Sequence, residues 1–185
     1  MKNKIMLGVF SGLIVVQLVV PLSMILKREV TLRQGAVFRF KTEPVDPYDA
    51  FRGRYVALGI EADKAPLPQG LTIKEEQKVY AHIAADGQGF AYFTAITSHA
   101  PLGVPYMTTR VNRIRGGNVL LEVPLDRYYM EETAAPRAER LYREHNRQGK
   151  QDAYVVVRVK NGFPVIESLY VGGEKIEDAL KRLKE

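Results

Sequence analysis

The chain has 185 residues, 46% of them apolar and 26% charged, enough to bury the core of one domain and too apolar for disorder. Its formal net charge is +6, but the bases are interspersed with acids rather than gathered in one stripe, so the balance argues against nucleic acid as a partner. Cysteine is absent, which excludes disulfides, thiolate nucleophiles, cysteine zinc sites and covalently attached haem.

Lys2 and Lys4 precede an uncharged, mainly apolar run from Ile5 to Leu26, closed by Lys27 and Arg28. That run has the length of a helix that crosses a bilayer, about 20 residues. "PLSMILKRE" offers no pair of small residues spaced for signal cleavage, so residues 1–27 read as an uncleaved membrane anchor and residues 28–185 as the folded domain. Pro21, Gln17 and Ser23 are tolerable in a spanning helix. Gly8 and Gly12 form a G-x-x-x-G pair, which reads either as helix flexibility or as a face for homodimerisation. Lys27, Arg28, Arg33 and Arg39 stand where anionic lipid headgroups would meet them. Orientation is open: the positive-inside rule favours a cytoplasmic domain, whereas a short basic tail before a first apolar segment is the usual export layout.

From Ala36 onward the hydrophobic period is two. "VFRFKTE" puts Phe38, Phe40 and Thr42 on one face, and Pro44 and Pro47 break the ladder. "RYVALGIE" resumes as a strand, and "DKAPLPQG" reads as a proline-rich loop. Three hairpins follow: "KVYAHIAA" with "GFAYFTAITS" around Asp86-Gly87, "MTTRVNRIR" with "NVLLEV" around Gly116-Gly117, and "AYVVVRVK" with "PVIESLYV" around Asn161-Gly162. The expected fold is mainly β (α+β): an N-terminal transmembrane helix, then an antiparallel domain of about eight or nine strands and two helices. One helix is expected between Thr133, as N-cap, and Gly149, with Ala134, Ala138, Leu141, Tyr142 and His145 on its apolar side. The other carries the stripe Ile176, Ala179, Leu180 and Leu183 near the C-terminus.

Catalytic motifs are missing. Ser98 and Ser168 sit in no nucleophile motif, and there is no phosphate-cradling glycine loop or dinucleotide fingerprint. His82, His99 and His145 share no ligand spacing, so neither a metal nor another cofactor is implied. Two clusters of charge remain. In "DPYDAFRGRYVALGI", Asp46 and Asp49 suit a turn, Arg52 can fork onto either carboxylate, and Gly53 permits a backbone angle barred to other residues. In this reading Asp46, Asp49, Arg52 and Gly53 form a structural corner, and Arg54 and Tyr55 are what it presents to a partner. In "LDRYYMEETAAPRAER", Arg127, Glu131, Glu132 and Glu139 gather at a strand-to-helix junction, where acids favour the first helical turn. An acid/base pair of Glu131 and Glu132 is the alternative there.

These two blocks resemble the signature of the GDYXXLXY family, named for Gly-Asp-Tyr-x-x-Leu-x-Tyr. Gly53, Tyr55 and Leu58 match it, whereas Arg54 stands for the aspartate and Ile60 for the last tyrosine. Asp46-Pro47, Asp49 and Arg52 fit the family's lead-in. Arg127, Tyr128 and Tyr129, followed by Glu131 and Glu139, look like its second block, and "VYAHIA" and "SLYVGG" follow in family order. The resemblance implies a bacterial single-pass inner-membrane protein with an extracytoplasmic β-rich domain and no established activity. It tips the orientation toward a domain in the periplasm. The function expected on that basis is a non-catalytic accessory or scaffold that binds another envelope protein, itself polytopic. The alternatives are a hydrolase using carboxylates such as Glu131 and Asp49, or a module that binds cell-wall glycan.

Overall fold

The computed structural model describes residues 2–43, 55–68, 70, 72–146 and 150–183. The chain opens with helix α1 (Lys2–Gln34), which runs through Pro21 without a break and continues seven residues past the expected anchor. It is long and apolar enough to cross a membrane, and from Gly8 to Val30 it buries no residue against the domain. The last turn differs. Thr31 is buried and its hydroxyl donates to the Lys27 carbonyl at 2.9 Å, and the Gly35 N–H donates to the Thr31 carbonyl at 2.8 Å.

The domain that follows holds twelve strands among the described residues, more than the eight or nine expected, because several are only two or three residues long. One antiparallel sheet contains β1 (Ala36–Glu43), β3 (Gly59–Ile60), β10 (Tyr154–Lys160), β11 (Phe163–Val171) and β12 (Glu174–Lys175), in the order β12-β11-β10-β1-β3. The other contains β4 (Lys64–Pro66), β5 (Lys78–Ala85), β6 (Ala91–Thr97), β7 (Tyr106–Arg115) and β8 (Asn118–Glu122), in the order β4-β8-β7-β5-β6. A separate two-stranded ribbon pairs β2 (Tyr55–Ala57) with β9 (Arg127–Tyr129). Helices α2 (Ala135–His145) and α3 (Ile176–Arg182) complete the domain.

The period-two reading holds along β1, where Phe40 and Thr42 are buried and Arg39 and Glu43 are not fully so. Both sheets feed one core, in which the Phe40 and Phe93 rings lie 5.9 Å apart. The three hairpins form as expected. Asn161 and Gly162 take φ of 49° and 74°, and Gly116 and Gly117 take 59° and 78°, the left-handed pair that a two-residue hairpin turn demands. The first turn is wider than Asp86-Gly87. It runs to Gly89, and the Asp86 carboxylate accepts the N–H groups of Gln88 and Phe90.

Four local expectations are corrected. "RYVALGIE" is not one strand: its first half pairs with β9 and its second half with β1, and buried Leu58 marks the corner between them. Part of the proline-rich "DKAPLPQG" is strand β4, which Pro66 can occupy because β4 is a sheet edge. Thr133 does not cap α2. The N-cap is Ala134, which has no side-chain cap, Pro136 occupies the first turn, where its missing N–H costs nothing, and the Thr133 hydroxyl donates to Glu131. Leu183 lies beyond the end of α3 and is exposed, while Ile176, Ala179 and Leu180 are buried as the stripe requires.

The join between α1 and the domain is tight. An added Cβ on Gly35 would lie 2.5 Å from the Thr31 carbonyl oxygen, 3.0 Å from the Val159 backbone nitrogen and 3.1 Å from the Arg158 Cβ. Arg158 donates to the Gly35 carbonyl at 3.4 Å, Lys160 bonds Gln34, and the Lys27 ammonium sits 4.2 Å from the centre of the Phe163 ring. The helix is thus seated on β10 and β11 rather than tied to them by a linker.

Candidate functional site

The ribbon brings the two charged blocks of the sequence together. Tyr55 pairs with Tyr129, Val56 with Tyr128 and Ala57 with Arg127, although the two strands are far apart in the chain. Alternation along these strands sends Val56 into the core and leaves Tyr128 half-buried, while Tyr55, Tyr129 and Arg127 stand on the outer face. There the Tyr55 and Tyr129 rings meet edge to face at 5.8 Å, and the Arg127 guanidinium lies 5.1 Å from the centre of the Tyr55 ring, its diagonal cross-strand neighbour. Arg127 also pairs with Asp126 at 3.1 Å; Tyr129 first, then Asp126, raise its pKa above the ordinary arginine value. Tyr129 remains 60% exposed, a large amphipathic ring held in place at the surface.

Behind the ribbon the contacts are structural. Leu58 is buried, and its N–H donates to the Asp126 carbonyl at 2.9 Å, a second tie between the blocks. The Tyr128 hydroxyl donates to the Glu177 carboxylate at 2.5 Å and so links β9 to α3. Burial, then Glu177, push the Tyr128 phenol well above the ordinary tyrosine value.

The remaining second-block acids are engaged locally. The Glu131 backbone carbonyl accepts the N–H groups of Ala134 and Ala135 at 3.0 Å each, and its carboxylate accepts the Thr133 hydroxyl at 2.9 Å. Glu139 pairs with Arg143 at 2.5 Å along α2. Glu139 is therefore not gathered with the ribbon. Asp46, Asp49, Arg52, Gly53 and Arg54, the proposed corner, lie outside the described residues.

Two cavities flank β9. On the side of the helices a cleft of about 520 Å³ runs from Tyr129 and Met130 past Glu131 and Arg137 to Glu177 and Lys181. On the side of the anchor a smaller cavity of about 210 Å³ is lined by Arg28 of α1, Asp126, Arg127, Tyr129 and the β11 residues Pro164, Val165 and Ile166. Arg28 was singled out from sequence as a headgroup contact but not as a neighbour of β9, and the contributions of Arg137, Glu177 and Lys181 were not foreseen. Of these three, Glu177 had a local signal, an acid on the polar side of the last helix stripe. Among the described residues no group of three His, Asp or Glu side chains is placed to hold a metal ion.

A long apolar N-terminal helix joined to an antiparallel β domain, with an arginine–tyrosine ribbon beside the helix, defines a class of protein compatible with a single-pass membrane anchor. Within that class the family model described as "GDYXXLXY protein" matches residues 17–169, and the chain belongs to that family. Neither a curated protein nor a solved structure matches it.

Proposed function

We propose that the chain is a membrane-anchored, extracytoplasmic docking domain, non-catalytic, whose β2–β9 ribbon binds another protein of the same membrane. The observation that carries this reading is the position of the ribbon: Arg28, the second residue after the apolar run, and Arg127 to Tyr129 line one cavity. An exposed surface of tyrosine and arginine is the composition that dominates protein–protein binding energy, since such rings cover much area at little entropic cost. The unlinkered seat of α1 on the domain supports a membrane-embedded partner, because it holds the ribbon at fixed height over the bilayer. Placement in the bacterial periplasm follows the resemblance stated above.

Site-specific photo-crosslinking from Tyr129 in intact cells, followed by mass spectrometry, tests the proposal. A reproducible membrane-protein adduct is expected from Tyr129 and not from Arg113, on the opposite sheet. Equal recovery from both positions refutes the ribbon as the docking face. A second reading, a carboxylate-dependent hydrolase, draws on one observation, that Glu131 and Glu177 line the same cleft. Hydrolase activity that disappears in Glu131→Gln would establish it in place of the first.

A further inference from the structure

We infer that the cavity between α1 and β9 binds the phosphate of an anionic membrane phospholipid, gripped by Arg28 and Arg127. The inference rests on the membrane-anchored reading but not on the protein partner. Arg28 lies two residues after Leu26, the end of the uncharged run, so a rise of about 1.5 Å per residue places it at the headgroup level of a bilayer crossed by α1. Its side chain lines the cavity, and no ion pair engages it among the described residues.

Arg127 lines the same space, already oriented by the Tyr55 ring and by Asp126. Asp126 bonds it through Nε and Tyr129 takes a further hydrogen bond, which still leaves donors of a five-donor fork for another acceptor. Two arginines against one aspartate leave a net charge of about +1, the complement of a phosphodiester monoanion. The volume is suitable as well: at about 30 Å³ for each water-sized group, 210 Å³ admits roughly seven, enough for a phosphate and its ester arms. Pro164, Val165 and Ile166 supply an apolar wall on the side of β11, and Tyr129 stands at the rim as interfacial tyrosines do.

The test uses the full-length chain in detergent, titrated with phosphatidylglycerol or phosphatidylcholine and read by native mass spectrometry. Phosphatidylglycerol is expected to bind in preference, and Arg28→Gln to weaken it about fivefold, the usual effect of one cation at a lipid surface. Arg28→Lys should restore most of that loss. Arg33→Gln, whose native guanidinium bonds Glu29 at 2.6 Å, should leave binding unchanged. A melting temperature equal to wild type confirms that each variant is folded. Equal losses from Arg28→Gln and Arg33→Gln mean diffuse attraction and overturn the site. Displacement by millimolar inorganic phosphate, without preference between the two lipids, assigns the cavity to a soluble phosphate and overturns the lipid. Because Arg28 is not part of the ribbon's outer face, unchanged lipid binding alongside an intact Tyr129 crosslink removes this inference and leaves the docking proposal standing.

Discussion

Gly35 is where α1 becomes part of the domain, and Gly35→Ala should measure how firmly. The new methyl would stand 2.5 Å from the Thr31 carbonyl oxygen, against a normal carbon–oxygen approach of about 3.3 Å or more. It would also press on the Val159 nitrogen at 3.0 Å and the Arg158 Cβ at 3.1 Å. The first two neighbours are backbone on opposite sides, one in the helix and one in β10, so no side-chain rotation relieves the clash. The helix end and the strand must part by roughly 1 Å, and forced overpacking of this kind costs about 1–3 kcal/mol. In a chain of this size each kcal/mol lowers the melting temperature by about 2–4 °C. Thermal unfolding of the full chain in detergent should therefore shift down by several degrees. Gly12→Ala, where an added Cβ meets nothing within 4 Å, serves as the control and should leave the domain's melt unchanged. A Gly35→Ala protein that melts within about 1 °C of wild type would mean the helix is not seated on β10, and the argument for a fixed ribbon height would go with it.

Gly162→Ala should destabilise more than Gly117→Ala: both lose a left-handed φ at about 1–2 kcal/mol, but only at Gly162 does the methyl also strike the Tyr106 ring and Thr108 hydroxyl, a difference that urea titration resolves. Tyr128→Phe should cost about 1–3 kcal/mol, because it leaves the Glu177 carboxylate without its donor. Burial raises the pKa of Tyr128 and Tyr142 above the ordinary value of 10.0, so the folded state keeps protons that the unfolded chain releases. Stability should accordingly be intact below pH 10 and fall as pH rises beyond it, with a shallower fall in Tyr128→Phe, as followed by denaturant unfolding across that range. Tyr129→Ala should reduce partner crosslinking while lowering stability by no more than about 0.5–1.5 kcal/mol, the value of its ring contact with Tyr55.

The hairpins were legible because their cause is local. Asn161-Gly162 and Gly116-Gly117 supply the required backbone angles within two residues, and the alternating strands on either side fix the register. The helices were legible from their stripes but not from their ends. Thr133 looks like a cap in isolation, yet the helix starts one residue later, with Ala134 at the N-cap, and the Ala134 and Ala135 N–H groups donate to the Glu131 carbonyl. Least legible was what depends on pairing at a distance. Whether "RYVALGIE" is one strand or two is decided by partners near Asp126 and Lys41, not by its own residues. For the same reason the resemblance could order the two blocks along the chain but not show that they form one ribbon. Lys64 to Pro66 reads as a loop because a strand proline is acceptable only at an edge, and edges are known only once the sheet is built.

The unbroken passage of α1 into the domain makes the proposed anchor and the domain one lever. A spanning helix on a flexible tether can tilt without disturbing what it carries; one clamped by Arg158, Lys160 and the close approach at Gly35 cannot. A change of about 10° in tilt, well inside the roughly 40° range of spanning helices, swings a point ~30 Å above the bilayer sideways by about 5 Å. On the membrane-anchored reading, a bilayer whose thickness altered that tilt would re-aim the whole β domain and with it the surface around Tyr129. On the membrane-anchored reading the lipid would do more than hold the protein: it would bias the direction in which the protein faces.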